Sequence, residues 1–121
     1  MATYVEINGK RYEASITGRL ADKDWDNRAS KAIHLGMAYE DAVKLFVDNL
    51  EWNIIQENTV PHIVIDAEGK EHTEMVTEFE TYDNSEYDIA GPITDHRDGT
   101  VTAKMGKPTA EELLAMFEEV L

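Results

Sequence analysis

The sequence predicts an α+β domain. An antiparallel sheet built from hairpins carries two amphipathic helices, at about residues 39–50 and 109–121. Three observations predict it. Short alternating runs follow one another across tight turns rather than across helical crossovers, which favours antiparallel pairing. Two stretches place apolar residues at the helical period. And 42% of the 121 residues are hydrophobic although the formal net charge is −14. An acidic disordered chain lacks that apolar content.

The elements follow in order. Tyr4–Ile7 and Arg11–Ile16 flank Asn8-Gly9. That dipeptide suits a tight hairpin turn, which needs positive φ at both central residues. Gly18 to Ser30 reads as polar and irregular, and Lys31–Met37 as a third strand with Ile33, Leu35 and Met37 on one face. Tyr39, Ala42, Val43, Phe46, Val47 and Leu50 then form a helical stripe, with Glu40 and Asp41 at the positive end of the helix dipole. This helix is expected to bury Val43, Phe46 and Val47 and to leave Glu40, Lys44 and Asp48 in water.

Trp52–Gln56 and His62–Ile65 read as two short strands separated by a link containing Pro61. After a turn at residues 66–70, Thr73, Met75, Thr77, Phe79 and Thr81 alternate with His72, Glu74, Val76, Glu78 and Glu80. That is one long strand with an acidic outer face. Asp83-Asn84-Ser85 breaks it. Tyr87–Thr94 is a further strand bent at Gly91-Pro92, and Val101, Ala103 and Met105 face one way on the strand that returns after Asp98-Gly99. Thr109 and Glu112 fit a capping box ahead of a stripe of Leu113, Leu114, Phe117, Val120 and Leu121, expected to pack on the sheet. No repeat or linker interrupts the chain, so residues 1–121 are expected to form one domain.

Charge bounds the function. Nine of the acids lie between Asp66 and Asp88, where Lys70 is the one Lys or Arg. The lysines and arginines elsewhere form no stripe. The field therefore opposes direct nucleic-acid binding and anionic membranes, and attracts basic partners. The candidate partner-binding residues are Glu74, Glu78, Glu80, Asp83, Glu86 and Asp88, with Trp25 as an aromatic anchor. The alternative for Trp25 is a loop anchor tucked into the core. With no cysteine there is no disulfide or thiolate chemistry. No apolar run approaches the ~20 residues that span a bilayer, and the first residues show no basic-then-apolar leader.

Chemistry-bearing motifs are weak. Asp22, Asp24 and Asp26 begin like a calcium loop, but Asn27 and Ile33 stand where glycine and the bidentate glutamate belong. His62 and His72 can face one another across a hairpin, and Asp95, His96 and Asp98 share one turn. Neither group makes a recognised metal or catalytic motif. No catalytic residue, metal or cofactor is expected, and the chain is expected not to be an enzyme.

The runs Asp22-Lys23-Asp24-Trp25-Asp26-Asn27-Arg28 with Ser30-Lys31-Ala32-Ile33, and Ala90-Gly91-Pro92-Ile93-Thr94-Asp95-His96-Arg97-Asp98-Gly99-Thr100-Val101, resemble small uncharacterised proteins encoded in phages and prophages of Gram-positive gut bacteria. The resemblance covers most of the chain and brings no catalytic residues. It implies a virion- or tail-associated component, made in the bacterial host cytoplasm and docking to a protein partner or to further copies of itself. The acid content supports an alternative: an inhibitor that imitates nucleic acid in the channel of an RNA-guided defence nuclease.

Overall fold

The computed structural model describes the backbone of residues 2–120 and the side chains of residues 2–118. Seven strands and two short helices occur in the order β1 (Thr3–Ile7), β2 (Lys10–Asp22), β3 (Arg28–Gly36), α1 (Tyr39–Leu45), β4 (Trp52–Ile65), β5 (Glu71–Asp83), β6 (Ile89–Asp95), β7 (Thr100–Gly106) and α2 (Ala110–Val120). The strands form one sheet in the order β5-β4-β1-β2-β3-β7-β6, and every pairing is antiparallel. The α+β expectation holds in outline, but the sheet dominates.

The first hairpin forms as its turn dictates: Asn8 and Gly9 take φ of 53° and 77°, and Ile7 lies opposite Lys10. The stretch expected to be irregular is so only at residues 23–27: β2 runs on to Asp22 and β3 begins at Arg28, because Gly18 and Arg19 pair with Lys31 and Ser30 before the register slips near Asp22. Pairing with β3 outweighs a polar composition whose side chains, Asp22 apart, face water.

One face of the sheet holds the core. Val5, Ile7, Ala14, Ile33, Leu35, Trp52, Val101, Ala103 and Met105 lie on it, covered by Ala42, Phe46 and Leu50. The covering helix is shorter than its stripe predicts. It stops at Leu45, Phe46 turns extended, and Asn49 takes φ of 64°. Tertiary hydrogen bonds end it: the Asn49 amide donates to the Asp88 carbonyl at 2.7 Å, and Asp48 Oδ1 accepts the Ala90 amide at 2.8 Å. The kink lets Phe46 and Leu50 both reach the core, while Val43 and Val47 stay exposed, against expectation.

The sheet cannot be flat. Seven strands laid flat would separate the β5 and β6 rows by about 29 Å. Asp83 and Ile89 are six peptide units apart, which reach at most about 21 Å. The connector is also pinned beneath the core, where the Trp52 indole N–H donates to the Tyr87 carbonyl at 3.0 Å and the Asn84 amide donates to the Trp52 carbonyl. The sheet therefore curls around Trp52.

The C-terminal helix corrects a further expectation. Its capping box forms: the Thr109 amide donates to Glu112 Oε1 at 2.9 Å and the Glu112 amide to Thr109 Oγ1 at 3.2 Å. But Leu113, Leu114, Met116 and Phe117 are exposed, Phe117 by 69%. α2 is tied down at its first turn by Arg28, which reaches Glu112 at 2.7 Å. Its apolar stripe does not pack on the sheet. Val120 and Leu121, expected to continue that stripe, lie outside the described side chains.

Candidate interaction surface

β4 is a single strand through Pro61, not two strands with a link. Its register against β5 runs unbroken from Asn53 opposite Asp83 to Ile65 opposite Glu71. Geometry explains the tolerance. The Glu57 amide donates to the Ala2 carbonyl, away from β5. Alternation along the strand turns the Pro61 nitrogen to the same side, where no strand lies, so the missing N–H interrupts no ladder.

Because β1 pairs with β4 only from Trp52 to Gln56, the rest of the β4–β5 hairpin leaves the core behind. Residues 57–65 and 71–79 make a two-stranded ribbon about 30 Å long at the usual rise per residue. None of these residues is buried, on either face. A hairpin of this length that buries nothing of its own is marginal as a structure, and its surface is available.

Its two faces differ in chemistry. On one, Glu74, Glu78 and Glu80 lie with His62, His72, Val60 and Val76. His62 Nε2 is 2.9 Å from Glu78 Oε1 and His72 Nε2 is 3.0 Å from Glu74 Oε1. The Tyr82 hydroxyl donates to Glu80 Oε2, and that bond to the carboxylate raises the pKa of the phenol. The three glutamates share a face opposite Met75 and Phe79, as alternation requires. That face is not the outer one, however. It continues the side of the sheet that carries Ile54 and Trp52 nearer the core.

The other face carries Pro61, Ile63, Ile65, Met75 and Phe79 among Thr59, Thr73, Thr77 and Thr81. Ile63 is 74% and Met75 63% exposed. Arg11 stands over the Phe79 ring, 5.2 Å from its centroid. Alternation alone marked Met75 and Phe79 as the face away from the acids. Their lack of cover depends on where β1 ends, which no local pattern encodes.

The remaining candidate residues lie elsewhere. Asp83 points to the opposite face from Glu74, Glu78 and Glu80. Its carboxylate is held below the usual range by hydrogen bonds from the Ser85 hydroxyl and amide. Glu86 pairs with Lys107 at 3.3 Å, and the Asp88 carbonyl receives Asn49. Trp25 is half-buried, against the face of the sheet opposite the core, with its ring edge on Gly91 and Gly106 and the Arg28 guanidinium 4.7 Å from its ring centre. It anchors its loop, though not in the core.

The other motifs are taken up by local bonding. The Asp22 carboxylate is buried and meets Lys104 Nζ at 2.8 Å, Ser30 Oγ at 3.0 Å and the Asp24 amide at 3.1 Å. Lys104 above all holds its pKa down. Asp95 and Asp98 accept hydrogen bonds inside their own turn, and His96 lies 2.7 Å from Thr102 Oγ1. Among the described residues no three His, Asp or Glu side chains converge as metal ligands, and no helix is long and apolar enough to cross a membrane. Comparison of the chain with protein-family models, curated proteins and solved structures finds no match.

Proposed function

We propose that the chain is a non-enzymatic protein-interaction module, a structural or tail- and assembly-associated component of a phage particle, made in the bacterial host cytoplasm. The observation that supports this reading is the β4–β5 ribbon: about 30 Å of paired strand with both faces and its outer edges in solvent. A folded chain gains nothing in its own core from such an arm, whereas a docking partner would cover it. The sequence resemblance to small phage-encoded proteins agrees with that use.

The test removes the arm and keeps the domain. In the phage that encodes the chain, residues 59–77 are replaced by a two-residue Asn-Gly turn. Purified particles are then counted and analysed for the chain by mass spectrometry. The reading expects the wild-type chain in particles and a steep fall in particle yield with the shortened arm. Unchanged yield, with the wild-type chain absent from particles, would sink it.

A second reading has its own support. Glu74, Glu78 and Glu80 line one face of one strand, with Glu78 and Glu80 about 7 Å apart and Glu74 about 13 Å from Glu78. Such a row can imitate phosphates for a basic channel in a defence nuclease. Replacing the three with Gln should then abolish inhibition of that nuclease while leaving particle yield unchanged. The structural reading expects neutralising the charge alone to weaken particle assembly far less than losing the arm does.

A further inference from the structure

We infer that the outer edge of β5 is a strand-addition site that takes an extended, basic segment of a protein partner; this rests on the interaction-module reading. The Glu57 amide points away from β5, so Glu57 and Phe79 are a pair without mutual hydrogen bonds. Alternation then turns the N–H and C=O groups of Thr73, Met75, Thr77, Phe79 and Thr81 outward. β5 is the last strand of the sheet, and among the described residues nothing pairs with these groups.

The β5 edge is less guarded than the distal edge of β4 or the edge at β6. The distal edge of β4 carries Pro61. The edge at β6 carries Pro92 and a register break between Ala90 and Ile93. Proline, lysine and bulges are the usual protections against unwanted pairing. β5 has no proline, lysine or bulge along its 13 residues from Glu71 to Asp83, and its one protection is its acids.

Charge favours a basic occupant over a second copy in the three central registers. Suppose a second copy paired through its own β5. Centred on Thr77, Glu74 would fall opposite Glu80 of the other copy. Centred on Val76, Glu74 would meet Glu78, and centred on Glu78 that residue would meet itself. Like charges directly opposite one another destabilise a sheet. A partner strand with Lys or Arg at alternate positions instead sets cations beside Glu74, Glu78 and Glu80. Its intervening small or apolar residues lie level with Met75, Thr77 and Phe79. Backbone bonds supply the grip and the alternate side chains the selectivity.

The probe is a ten-residue peptide alternating lysine and threonine, titrated into the full chain. Binding should slow hydrogen exchange at the amides of Thr73, Met75, Thr77, Phe79 and Thr81 and leave the already paired amides of Glu74, Val76 and Glu78 unchanged. A peptide of the same composition, N-methylated at every second residue, should bind at least about tenfold more weakly, as should the chain carrying Thr77→Pro. Thr77 donates to no strand in the free protein, so this proline leaves the β4 ladder intact. The N-methylated peptide tests the same point without altering the protein. The triple variant Glu74→Gln, Glu78→Gln, Glu80→Gln should weaken binding and flatten its salt dependence.

Binding indifferent to N-methylation and to Thr77→Pro would reduce the effect to surface charge and overturn the site. So would equal binding of a glutamate–threonine peptide, or no binding. A chain present in particles whose edge ignores the peptide would leave the module reading standing and this site refuted. A binding edge on a chain absent from particles would do the reverse.

Discussion

The ring edge of Trp25 rests on Gly106, so closely that a β-carbon built on that glycine would stand 2.7 Å from the ring. Gly91, brought alongside by the register break in β6, leaves only 2.6 Å. The two glycines are thus the floor of the Trp25 site, and Arg28 is its lid. Gly106→Ala and Gly91→Ala should each push the indole out and cost about 1–3 kcal/mol in urea unfolding. Trp25 fluorescence should shift to the red in both. Full stability with an unshifted spectrum would contradict this packing.

Two phenylalanines should behave oppositely. Phe46 is 3% exposed and sits in the core, so Phe46→Ala should cost about 3–5 kcal/mol. Phe117, on the uncovered face of α2, should change stability by no more than about 0.5 kcal/mol when replaced by alanine. Chemical denaturation of the two variants side by side decides it, and a large loss at Phe117 would place α2 against the sheet after all.

Asp22 should make stability depend on acid. Its carboxyl titrates below the usual carboxylate range, chiefly because Lys104 donates to it. A lowered native pKa favours the fold above the unfolded value of about 3.9, and the benefit fades as pH drops through the native value. Asp22→Asn should therefore be less stable than wild type at pH 7, and the gap should narrow below about pH 4. A gap that stays constant down to pH 2 would deny the ion pair its role.

The arm should be separable from the domain. Replacing residues 59–77 with Asn-Gly joins Asn58 to Glu78, which already lie opposite each other. The shortened protein should unfold cooperatively, with a midpoint close to that of the full chain, because no core residue is lost. Loss of the cooperative transition would mean that the ribbon supports the core.

Local signals were legible where one short segment decides the outcome. Asn8-Gly9 fixed a turn, and Thr109 with Glu112 fixed a helix start. Periodicity marks an apolar stripe on α2 but is silent on what covers it, so it predicts a place in the core that Phe117 does not take. Pro61 misled because its effect depends on which way one N–H points, a matter settled by where β1 ends. The length of α1 was set by bonds from Asn49 and Asp48 to a segment some 40 residues away. The glutamates at 74, 78 and 80 were legible as one row by alternation, whereas the open backbone edge beside them depends on strand order and left no trace in composition.

The strand order also has a kinetic consequence. β1, β2 and β3 zip together as consecutive hairpins, but β4 must return past them to β1 and β7 must cross back to β3. Neither outer hairpin has a place to dock until the central three strands exist. Closing those long chain segments before any contact rewards them slows assembly, so refolding should fall in the millisecond-to-second range typical of non-local sheets. During that interval the bare flanks of β1 and β3 are exposed together. A chain emerging from the ribosome meets the same order, because the segment that seals β3 is synthesised after β4, β5 and β6.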